Sequence, residues 1–358
     1  MAKLKVGVVG CGGIATQKHL PSMAQTGLAD AAAFCDVVIE RAEDAAKAFG
    51  TADSKVFKDY RDLLKLDLDA VYVCTPNRSH SEIAVAALEA KKHVMCEKPM
   101  AINYAEALKM AEAAKRSGKL LTVGYQNRYR SDTQFLKKEC AAGALGDIYY
   151  AKARSIRRRA VPTWGVFLNE FEQGGGPLID IGTHSLDLTL WMMDNYTPKS
   201  VTGVTFHKLN GQTEPANAWG PWDTEKFTVE DSAFGFIIME NGAAIQLETS
   251  WALNTLEMGE PLTLLCGTKG GADMMDGLRI NGVRHDRQYK FTPDFGAKGV
   301  DFYEGESVTP PVREQLTFLG AVKGENGLVV LPEQAMAVTR ILDAVYESAK
   351  TGRQVVFE

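Results

Sequence analysis

The chain has 358 residues, of which 45% are hydrophobic and 24% charged, and its formal net charge is -5. These ordinary values exclude a disordered chain and a fibre, and the acidic excess argues against a general nucleic-acid-binding surface. No run comes near the ~18 uninterrupted apolar residues of a membrane-spanning helix, and the N-terminus enters a strand pattern without the apolar core of a signal peptide. We therefore expect a soluble, cytoplasmic protein of about two domains, with no nucleic-acid or membrane partner.

A β-rich run at 3–9 leads into Gly10-Cys11-Gly12-Gly13-Ile14-Ala15 and then into a helical stretch. This strand, tight turn and helix carry the G-x-G-x-x-A form of the dinucleotide-binding fingerprint. Gly10 permits the turn, Gly12 lets the backbone reach a pyrophosphate, and the helix N-terminus offers amide donors to the anion. The predicted cofactor contacts in this turn are Gly10, Gly12, Gly13 and Ile14.

The second predicted strand, at 28–35, ends at Asp36. A carboxylate there can accept both ribose hydroxyls of NAD and would repel a 2′-phosphate. No arginine follows Asp36 directly, so the sequence favours NAD over NADP. The offset from Gly10 to Asp36 exceeds the usual ~20 residues of the motif, and a longer first helix would absorb the difference.

Strands and helices continue to alternate after Asp36. The predicted elements are a helix at 38–49, a continuous apolar strand at 70–74, strands at 94–96 and 120–123, and two helices opened by the capping boxes Ser79-His80-Ser81-Glu82 and Asn103-Tyr104-Ala105-Glu106. Residues 1–124 are therefore predicted to form an NAD-binding Rossmann domain. In such a doubly wound parallel sheet, ligands lie beyond the C-terminal ends of the strands.

Two of these strand ends carry polar residues, in Thr75-Pro76-Asn77-Arg78-Ser79-His80 and in Glu97-Lys98-Pro99. Pro99 keeps Lys98 out of helical conformation, so the chain turns sharply where a nicotinamide is expected. Lys98 is the first candidate for chemistry, and the alternative is a solvated surface lysine. His80 is expected to cap or pack rather than to catalyse. The predicted cofactor contacts here are Thr75, Asn77, His80, Glu97 and Lys98.

Gly174 to Trp191 reads GGGPLIDIGTHSLDLTLW. At about 100° per residue, apolar residues fill most of a helix and the others share one narrow stripe: Asp180, Thr183, His184, Asp187 and Trp191. A mostly apolar helix is usually buried, so its polar stripe is expected to face a site. The alternative is a satisfied structural network in which His184 ties the helix to a neighbour. Three glycines ahead of Pro177 would let backbone or a ligand approach closely.

The motifs GVVGCGGIA, CTPNRSH, HVMCEKPMA, VGYQNRY and GGGPLIDIGTHSLDL together resemble the Gfo/Idh/MocA family of NAD(P)-dependent oxidoreductases. The resemblance implies a Rossmann domain followed by an α/β domain with a large, mostly antiparallel sheet, and family members commonly oxidise a ring hydroxyl of a sugar or cyclitol. By this likeness Lys98 matches the lysine of an E-K-P motif, and Asp180 and His184 match a D-x-x-x-H pair. Asn127 lies where many members contact substrate. Beyond about Asn195 no specific motif is present, so the substrate-selecting loops do not transfer.

Residues 125–358 are predicted to form a substrate-binding and oligomerisation domain. Arg157-Arg158-Arg159 follow a strand at 147–156 and either grip an acidic substrate or phosphate, or form a solvated strand end. Trp164, Trp219 and Trp222 offer aromatic faces to a sugar, or pack internally. The predicted substrate contacts are Asn127, Arg157, Trp164, Asp180 and His184.

Asn-Gly pairs at 241–242 and 281–282 lie near β-rich runs and predict hairpins of an antiparallel sheet. Helices are expected to cover one face of this sheet. The other face, rich in Val, Phe, Ile and Trp, would suit the interface of a homodimer or homotetramer. A last helix, at about 330–350, can pack back on the first domain and is followed by a short strand at 354–357.

Together these residues predict an NAD-dependent sugar or cyclic-polyol dehydrogenase. His184 is predicted to be the base that takes the hydroxyl proton, with its pKa raised by an ionised Asp180 that also orients the reacting groups. Lys98 would stabilise the developing alkoxide. Two alternatives remain, an NAD-retaining glycosidase that acts through transient oxidation and a non-catalytic dinucleotide-sensing regulator.

Six dispersed cysteines contain no C-x-x-C pair and no Cys/His cluster at zinc spacing. We therefore expect reduced thiols and no metal site. A catalytic thiol at Cys96 is the alternative, but the sequence places no base beside it.

Overall fold

The computed structural model describes residues 2–213, 216–295 and 308–357. Its contacts divide the chain into two compact units, Met1–Tyr129 with Ser307–Met336, and Arg130–Glu306 with Ala337–Glu358. The sequence places the boundary at residues 124–125, five residues earlier, and does not predict the helix at Pro310–Val322 that belongs to the first unit.

A six-stranded parallel sheet forms the centre of the first unit, in the order β3-β2-β1-β4-β5-β6. Its strands are β1 Leu4–Val9, β2 Ala29–Cys35, β3 Gly50–Phe57, β4 Ala70–Val73, β5 His93–Cys96 and β6 Leu121–Val123. This order confirms the predicted doubly wound fold, in which the strand order reverses beside β1. The sequence does not predict the edge strand β3, because β3 is largely exposed and has no continuous apolar run.

Helices flank this sheet. They are α1 Leu20–Thr26, α2 Ile39–Phe49, α3 Tyr60–Leu63, α4 His80–Glu89, α5 Tyr104–Ser117 and α9 Pro310–Val322, and a π-helical turn at Ala15–His19 leads into α1. The predicted capping box at Asn103 is confirmed, because its side chain accepts a hydrogen bond from the Glu106 backbone N–H at 2.9 Å. The one at Ser79 is wrong. A 3₁₀ turn at Asn77–Ser79 gives Ser79 helical backbone angles, and its side chain makes no capping hydrogen bond.

Helix α9 forms part of the core of the first unit, although it lies far along the chain from the sheet. Its Phe318 side chain is buried in the same cluster as Val6 and Phe34. The hydroxyl of Tyr72, on β4, donates to the Gln315 side chain at 2.5 Å. Because burying one large apolar side chain contributes about 1.5–3 kcal/mol, the C-terminal segment helps to hold the N-terminal sheet.

A nine-stranded sheet forms the second unit, in the order β14-β13-β12-β11-β7-β10-β9-β8-β15. Its strands are β7 Ile148–Ile156, β8 Pro198–Phe206, β9 Ser232–Met239, β10 Ala244–Ser250, β11 Gly259–Gly267, β12 Gly270–Asp273, β13 Arg279–Arg284, β14 Arg287–Phe291 and β15 Val355–Val356. The described helices are α6 Ser131–Ala141, α7 Glu170–Gln173, α8 Thr183–Met193 and α10 Pro332–Thr351, and α10 belongs to this unit from Ala337 onward. Every strand pair is antiparallel except β7–β10, as expected for a mostly antiparallel sheet. No helix in the described ranges has both the length and the apolar character needed to cross a bilayer.

One of the two predicted hairpin turns is confirmed. Gly242 has a φ of 86° between β9 and β10, and the Met239 N–H donates to the Ala243 carbonyl at 2.8 Å. The other is wrong, because Asn281 and Gly282 lie within β13. The chain turns instead at residues 285–286, whose positive φ values of 51° and 57° suit a two-residue hairpin.

The two faces of this sheet differ. Helix α8 packs against β7 and β11, and the Thr189 and Thr263 hydroxyls lie 2.8 Å apart between them. On β9, the buried residues Ala233, Gly235 and Ile237 alternate with more exposed apolar ones, so the second set shares the opposite face. The exposed apolar residues of β8 and β9 include Val204 and Phe236. The use of this face as a subunit interface remains a prediction.

Candidate active site

The turn after β1 fits a phosphate group. Gly10 has a φ of 89°, and a Cβ there would lie 2.6 Å from the Cys74 carbonyl carbon, so only glycine fits. A Cβ built on Gly12 meets open space. Helical backbone begins at Gly13, and its N-terminal amides follow directly. These features suit an anion at the start of a helix, the role that the sequence predicts for Gly10, Gly12, Gly13 and Ile14.

Asp36 lies where the sequence predicts a ribose-binding carboxylate. It is buried at the end of β2, and its two oxygens accept hydrogen bonds from the backbone N–H groups of Cys11 and Val38, each at 2.9 Å. Each carboxylate oxygen has two lone pairs. The carboxylate is thus fixed beside the phosphate turn and keeps acceptor capacity for hydroxyl groups.

The segment after β4 holds a second group suited to a ligand. Thr75 Oγ1 is buried and finds no hydrogen-bond partner among the described residues. Leaving a buried hydroxyl unpaired costs about 1–3 kcal/mol, so a polar ligand atom there would relieve a cost of folding. Asn77, two residues later, begins the 3₁₀ turn.

His80 is fully buried and ties two strand ends together. Its ring nitrogens lie 2.8 Å from the Pro99 carbonyl oxygen and 2.9 Å from the Thr75 carbonyl oxygen. Burial lowers the pKa of His80, partly offset by these carbonyls. A neutral imidazole donates only one hydrogen bond, so His80 bonds one of these two carbonyl oxygens and packs against the other. This geometry supports the packing interpretation of His80.

Glu97 is buried at the end of β5 in a network that the sequence does not reveal. Its Oε1 lies 2.9 Å from Lys18 Nζ and 2.7 Å from His19 Nε2, and its Oε2 accepts the Lys98 backbone N–H at 3.0 Å. Burial alone would raise the pKa of Glu97, but Lys18 and His19 hold it well below its usual value. Glu97 therefore anchors the Lys98 loop as an ionised carboxylate.

Lys98 is half-buried, which differs from the fully solvated lysine of the alternative interpretation. It follows β5, and the Lys98–Pro99 peptide bond is cis. Asn127, also half-buried, follows β6 in a 3₁₀ turn at Gln126–Tyr129. Because β4, β5 and β6 are parallel neighbours, the segments that carry Thr75, Lys98 and Asn127 leave the same edge of the sheet.

In the second unit, a buried helical segment carries Asp180 and His184. From Gly175 to Met192 every residue is buried except His184, which is partly exposed. The predicted polar stripe is otherwise closed, since Thr183 and Asp187 are at most 1% exposed. The burial of this helix is thus as predicted, and His184 is its point of access.

A π-helical turn at Leu178–Gly182 precedes α8. Hydroxyl groups of the sheet insert against it: Ser155 donates to the Ile181 carbonyl at 2.9 Å and Thr249 donates to the Pro177 carbonyl at 2.8 Å. Such insertions satisfy carbonyls that a π-turn leaves without regular helical partners. The turn is therefore fixed by β7 and β10.

Asp180 is 9% exposed and is held by Trp251, a residue that no sequence motif indicates. Its Oδ2 accepts a hydrogen bond from Trp251 Nε1 at 3.0 Å, and its backbone N–H donates to the Gly176 carbonyl at 3.0 Å. Trp251 is fully buried. Within the second unit, the Trp251 indole thus orients the carboxylate and the Gly176 carbonyl fixes the Asp180 backbone.

Arg157 is engaged by the protein itself. Its Nε lies 2.7 Å from Glu260 Oε1, and its guanidinium stacks 5.3 Å from the Trp219 ring centre. Trp164 is 52% exposed and meets Trp219 edge-to-face at 5.0 Å, so this pair retains free aromatic surface. Trp222, by contrast, is buried, and its Nε1 donates to the Asn210 carbonyl, as expected for core packing.

The candidate residues thus fall in two sets. Thr75, Lys98 and Asn127 belong to the first unit, and Asp180 and His184 to the second. Their convergence over one nicotinamide remains a prediction. The alternative of a nucleophilic thiol loses support, because burial raises the pKa of Cys96 well above its usual value.

Comparisons with known proteins cover both units. A model described as an oxidoreductase family with an NAD-binding Rossmann fold matches residues 4–125, and a GFO/IDH/MocA C-terminal domain model matches residues 133–273. D-glucoside 3-dehydrogenase of Escherichia coli (strain K12) is 35% identical over 363 aligned residues, which cover 98% of this chain and 97% of that protein. Glucose-6-phosphate 3-dehydrogenase of Bacillus subtilis (strain 168) is 32% identical, covering 53% and 54%. A levoglucosan dehydrogenase solved with NADH and levoglucosan shares the fold, with a TM-score of 0.83 at 23% identity and 99% coverage of each chain.

Proposed function

Since this chain belongs to the Gfo/Idh/MocA family of NAD(P)-dependent oxidoreductases, we propose that it oxidises the C3 hydroxyl of a D-glucosyl ring with NAD as oxidant. The observation that carries this proposal is the 35% identity, over almost the full length of both chains, with a D-glucoside 3-dehydrogenase. A second relative, matched over about half of its length, is also named for position 3 of a glucose ring.

His184 acts as the base. Hydride departs from a ring carbon only as the attached hydroxyl loses its proton, so a neutral imidazole must reach that hydroxyl. His184 is the accessible residue of a segment that is otherwise closed. Asp180 precedes it by four residues, with its orientation set by Trp251. An ionised carboxylate there favours the imidazolium that forms as the proton is taken.

Lys98 stabilises the developing alkoxide. An ammonium group aimed at the reacting oxygen lowers the barrier most in a water-poor site. The ionised Glu97 accepts the Lys98 backbone N–H, and the buried His80 ring lies against the Pro99 carbonyl, so protein groups contact the loop that presents the amine on both sides of Lys98. Bound NAD supplies the hydride acceptor, and the fingerprint turn, Asp36 and Thr75 hold it. The Asp36 carboxylate favours NAD over NADP, because it would repel a 2′-phosphate.

The direct test is NADH formation with methyl D-glucosides, glucose 6-phosphate, levoglucosan and inositols, with the product carbonyl located by NMR. We expect the highest kcat/KM with a D-glucoside and a ketone at C3. NADH should accumulate one-to-one with the ketone, whereas a glycosidase that recycles its cofactor would release aglycone without NADH. A ketone at another carbon, or a preference for NADP, would contradict the proposal.

His184→Ala tests the base. We expect kcat to fall by about 10²–10⁴-fold with the NADH dissociation constant unchanged, because a positioned acid–base group is lost. His207→Ala is the matched control, since His207 is exposed. Near-wild-type turnover by His184→Ala would remove the basis for the mechanism.

We also propose that the exposed apolar face of the nine-stranded sheet joins subunits in a homodimer or homotetramer. Phe236 on this face is 47% exposed. A groove of about 410 Å³ in the same sheet is lined by apolar residues such as Phe234 and Leu262 and by the charged residues Lys152, Arg154, Glu248 and Glu257. Phe236→Asp should lower the mass measured by sedimentation. Leu108→Asp, on exposed α5 of the first unit, should not.

A further inference from the structure

The buried carboxylate of Glu230 accepts hydrogen bonds from the start of the segment that carries Asp180 and His184. Glu230 precedes β9 and is 3% exposed. Its Oε2 accepts the Gly176 backbone N–H at 2.8 Å, and its Oε1 accepts the Leu178 backbone N–H at 3.1 Å. The Tyr346 hydroxyl, on α10, donates to the same Oε1 at 2.9 Å. Three donors from two other elements thus converge on one carboxylate.

The backbone N–H groups of Gly176 and Leu178 lie at the start of a helix, where backbone N–H groups have no hydrogen-bond partners within the helix. Helical backbone begins at Pro177, which has no N–H to offer, so Gly176 and Leu178 supply the donors on either side. A side chain of the same segment usually caps such a start, but here the acceptor comes from a residue 54 positions away in sequence. Its negative charge also faces the positive end of the helix dipole.

The glycine run ahead of Pro177 makes room for this arrangement. A Cβ on Gly175 would overlap the Tyr346 hydroxyl, and a Cβ on Gly176 would overlap the Glu230 backbone carbonyl. Gly175 and Gly176 are therefore required by the close approach of protein groups. This answers the question left open by the sequence, in which either backbone or a ligand could explain the run.

We propose that Glu230 is a positioning residue for the reaction, because it fixes the turn from which Asp180 and His184 project and Tyr346 holds it in place. The inference rests on the proposed function of those two residues. The path is short: the Gly176 amide binds Glu230, and the Gly176 carbonyl accepts the Asp180 backbone N–H at 3.0 Å. The next residue, Asp231, accepts the Trp251 backbone N–H through its carbonyl, and the Trp251 indole holds the Asp180 carboxylate.

The protonation of Glu230 changes the strength of this hold. Burial raises the pKa of Glu230 to about 7, although the two amides and the Tyr346 hydroxyl favour the ionised form. The ionisable groups on the elements around it are Asp180 on the turn, Asp231 beside it in sequence, and on α10 Tyr346, which Glu170 of α7 also influences. Burial raises the pKa of Tyr346 well above its usual value, so its hydroxyl remains a donor. Protonation would place a hydrogen on one carboxyl oxygen, where it competes with the surrounding donors, so the ionised form of Glu230 suits all three donors better.

Two variants test the role. Glu230→Gln keeps the shape but removes the charge and places amide hydrogens against N–H donors. Tyr346→Phe removes one donor and leaves the ring. Glu240→Gln and Tyr289→Phe, both at exposed positions of the same unit, are the matched controls. Each variant is measured for kcat, KM, the NADH dissociation constant, the pH profile, and amide hydrogen exchange in the peptide covering 174–184.

For Glu230→Gln we expect kcat to fall about 10- to 100-fold, the effect of a small misplacement of reacting groups, with the NADH dissociation constant unchanged. For Tyr346→Phe we expect the acid limb of the kcat/KM profile to move to higher pH, because the carboxylate loses a donor that favours its ionised form. Exchange in 174–184 should become faster in both variants. The control variants should match wild type.

Hydrogen exchange separates this inference from the proposed function, because it needs no substrate. If wild type oxidises no sugar, faster exchange in the variants still supports the hold on the turn, and unchanged exchange overturns it. If wild type is active, unchanged kcat and an unmoved acid limb in both variants overturn the positioning role even when exchange is faster. Should Glu230→Gln fail to fold, Tyr346→Phe decides the question alone.

Discussion

Glu97 in the first unit and Glu230 in the second are both almost completely buried, yet their pKa values are shifted in opposite directions. Glu97 faces the Lys18 ammonium and the His19 imidazole, which hold its pKa well below the usual value despite burial. Glu230 faces only neutral donors, two amides and a hydroxyl, and burial raises its pKa to about 7. Neutral hydrogen bonds soften the cost of burying a charge, whereas an adjacent cation reverses its effect on the pKa. The first unit thus holds a permanent anion, and the second holds one that responds to pH.

Replacing Lys18, the ammonium partner of Glu97, should have the largest effect on the free energy of unfolding. In Lys18→Met, Glu97 loses its ammonium partner and Glu314, whose Oε2 lies 3.2 Å from Lys18 Nζ, is left buried without one. We expect the free energy of unfolding to fall by about 3–5 kcal/mol, the usual cost of breaking a buried ion pair. Urea denaturation measures it. Lys3→Met, which breaks an exposed pair with Asp30, should cost less than about 1 kcal/mol, and equal losses in the two variants would contradict the comparison.

The second-largest effect concerns pH, because Glu230 and Glu97 should change the stability of the protein with pH in opposite directions. The folded pKa of Glu230 lies above its ordinary value of 4.5, so the folded state binds the extra proton and stability from this group falls as pH rises from about 4.5 to 7. Relative to Glu230→Gln, wild type should lose about 3 kcal/mol over that range, since each pKa unit is worth about 1.4 kcal/mol. Denaturation of both proteins at a series of pH values gives the difference. Glu97 acts with the opposite sign, because its contribution is present above its unfolded pKa and disappears as pH falls through the folded one.

The carboxylate of Asp180 extends the comparison of Glu97 with Glu230. Asp180 is held by the neutral donor Trp251, as Glu230 is held by neutral donors. In Trp251→Phe we expect stability to fall by about 1–3 kcal/mol, because Asp180 loses a buried hydrogen bond from the indole, and we expect kcat to fall with NADH binding unchanged. Trp222→Phe is the control, because Trp222 is also buried and its indole N–H donates to the Asn210 carbonyl rather than to Asp180. Equal effects on kcat would mean that the hydrogen bond to Asp180 does not orient it.

The smallest effect on stability is expected at a helix start whose capping side chain belongs to the same stretch of sequence. Asn103 caps α5 from its own sequence, whereas Glu230 caps its segment from a distance. Asn103→Ala should cost about 1 kcal/mol, as measured by thermal unfolding. Ser79→Ala should cost almost nothing, because Ser79 makes no capping hydrogen bond.

Local patterns predict most of the fold. Apolar periodicity and turn residues locate five of the six strands in the first unit, the hairpin at Asn241-Gly242 and the buried helix that carries His184. They miss β3 and α9, since β3 is an exposed edge and α9 acquires its role only by packing on a sheet far away in sequence. Asn281-Gly282 is misleading because the same residues that suit a turn also fit within β13.

In the candidate site too, sequence motifs predict some residues and not others. Lys98, Asp180 and His184 come from short motifs, and the structure shows the environment of each within its own unit. Their supporting partners do not follow from sequence, because Lys18 meets Glu97, and Tyr346 meets Glu230, across long separations along the chain. No local periodicity encodes such pairs, and only the folded backbone brings them together.

The closed surface of the helical segment from Gly175 to Met192 also limits how substrate preference can change. His184 is the one residue of this segment that is not buried, and it is the residue proposed to transfer the proton. New preferences among sugars must therefore arise in the loops that surround it, such as those that present Trp164 and Trp219. An engineer seeking altered selectivity would randomise those loops and leave the helix untouched.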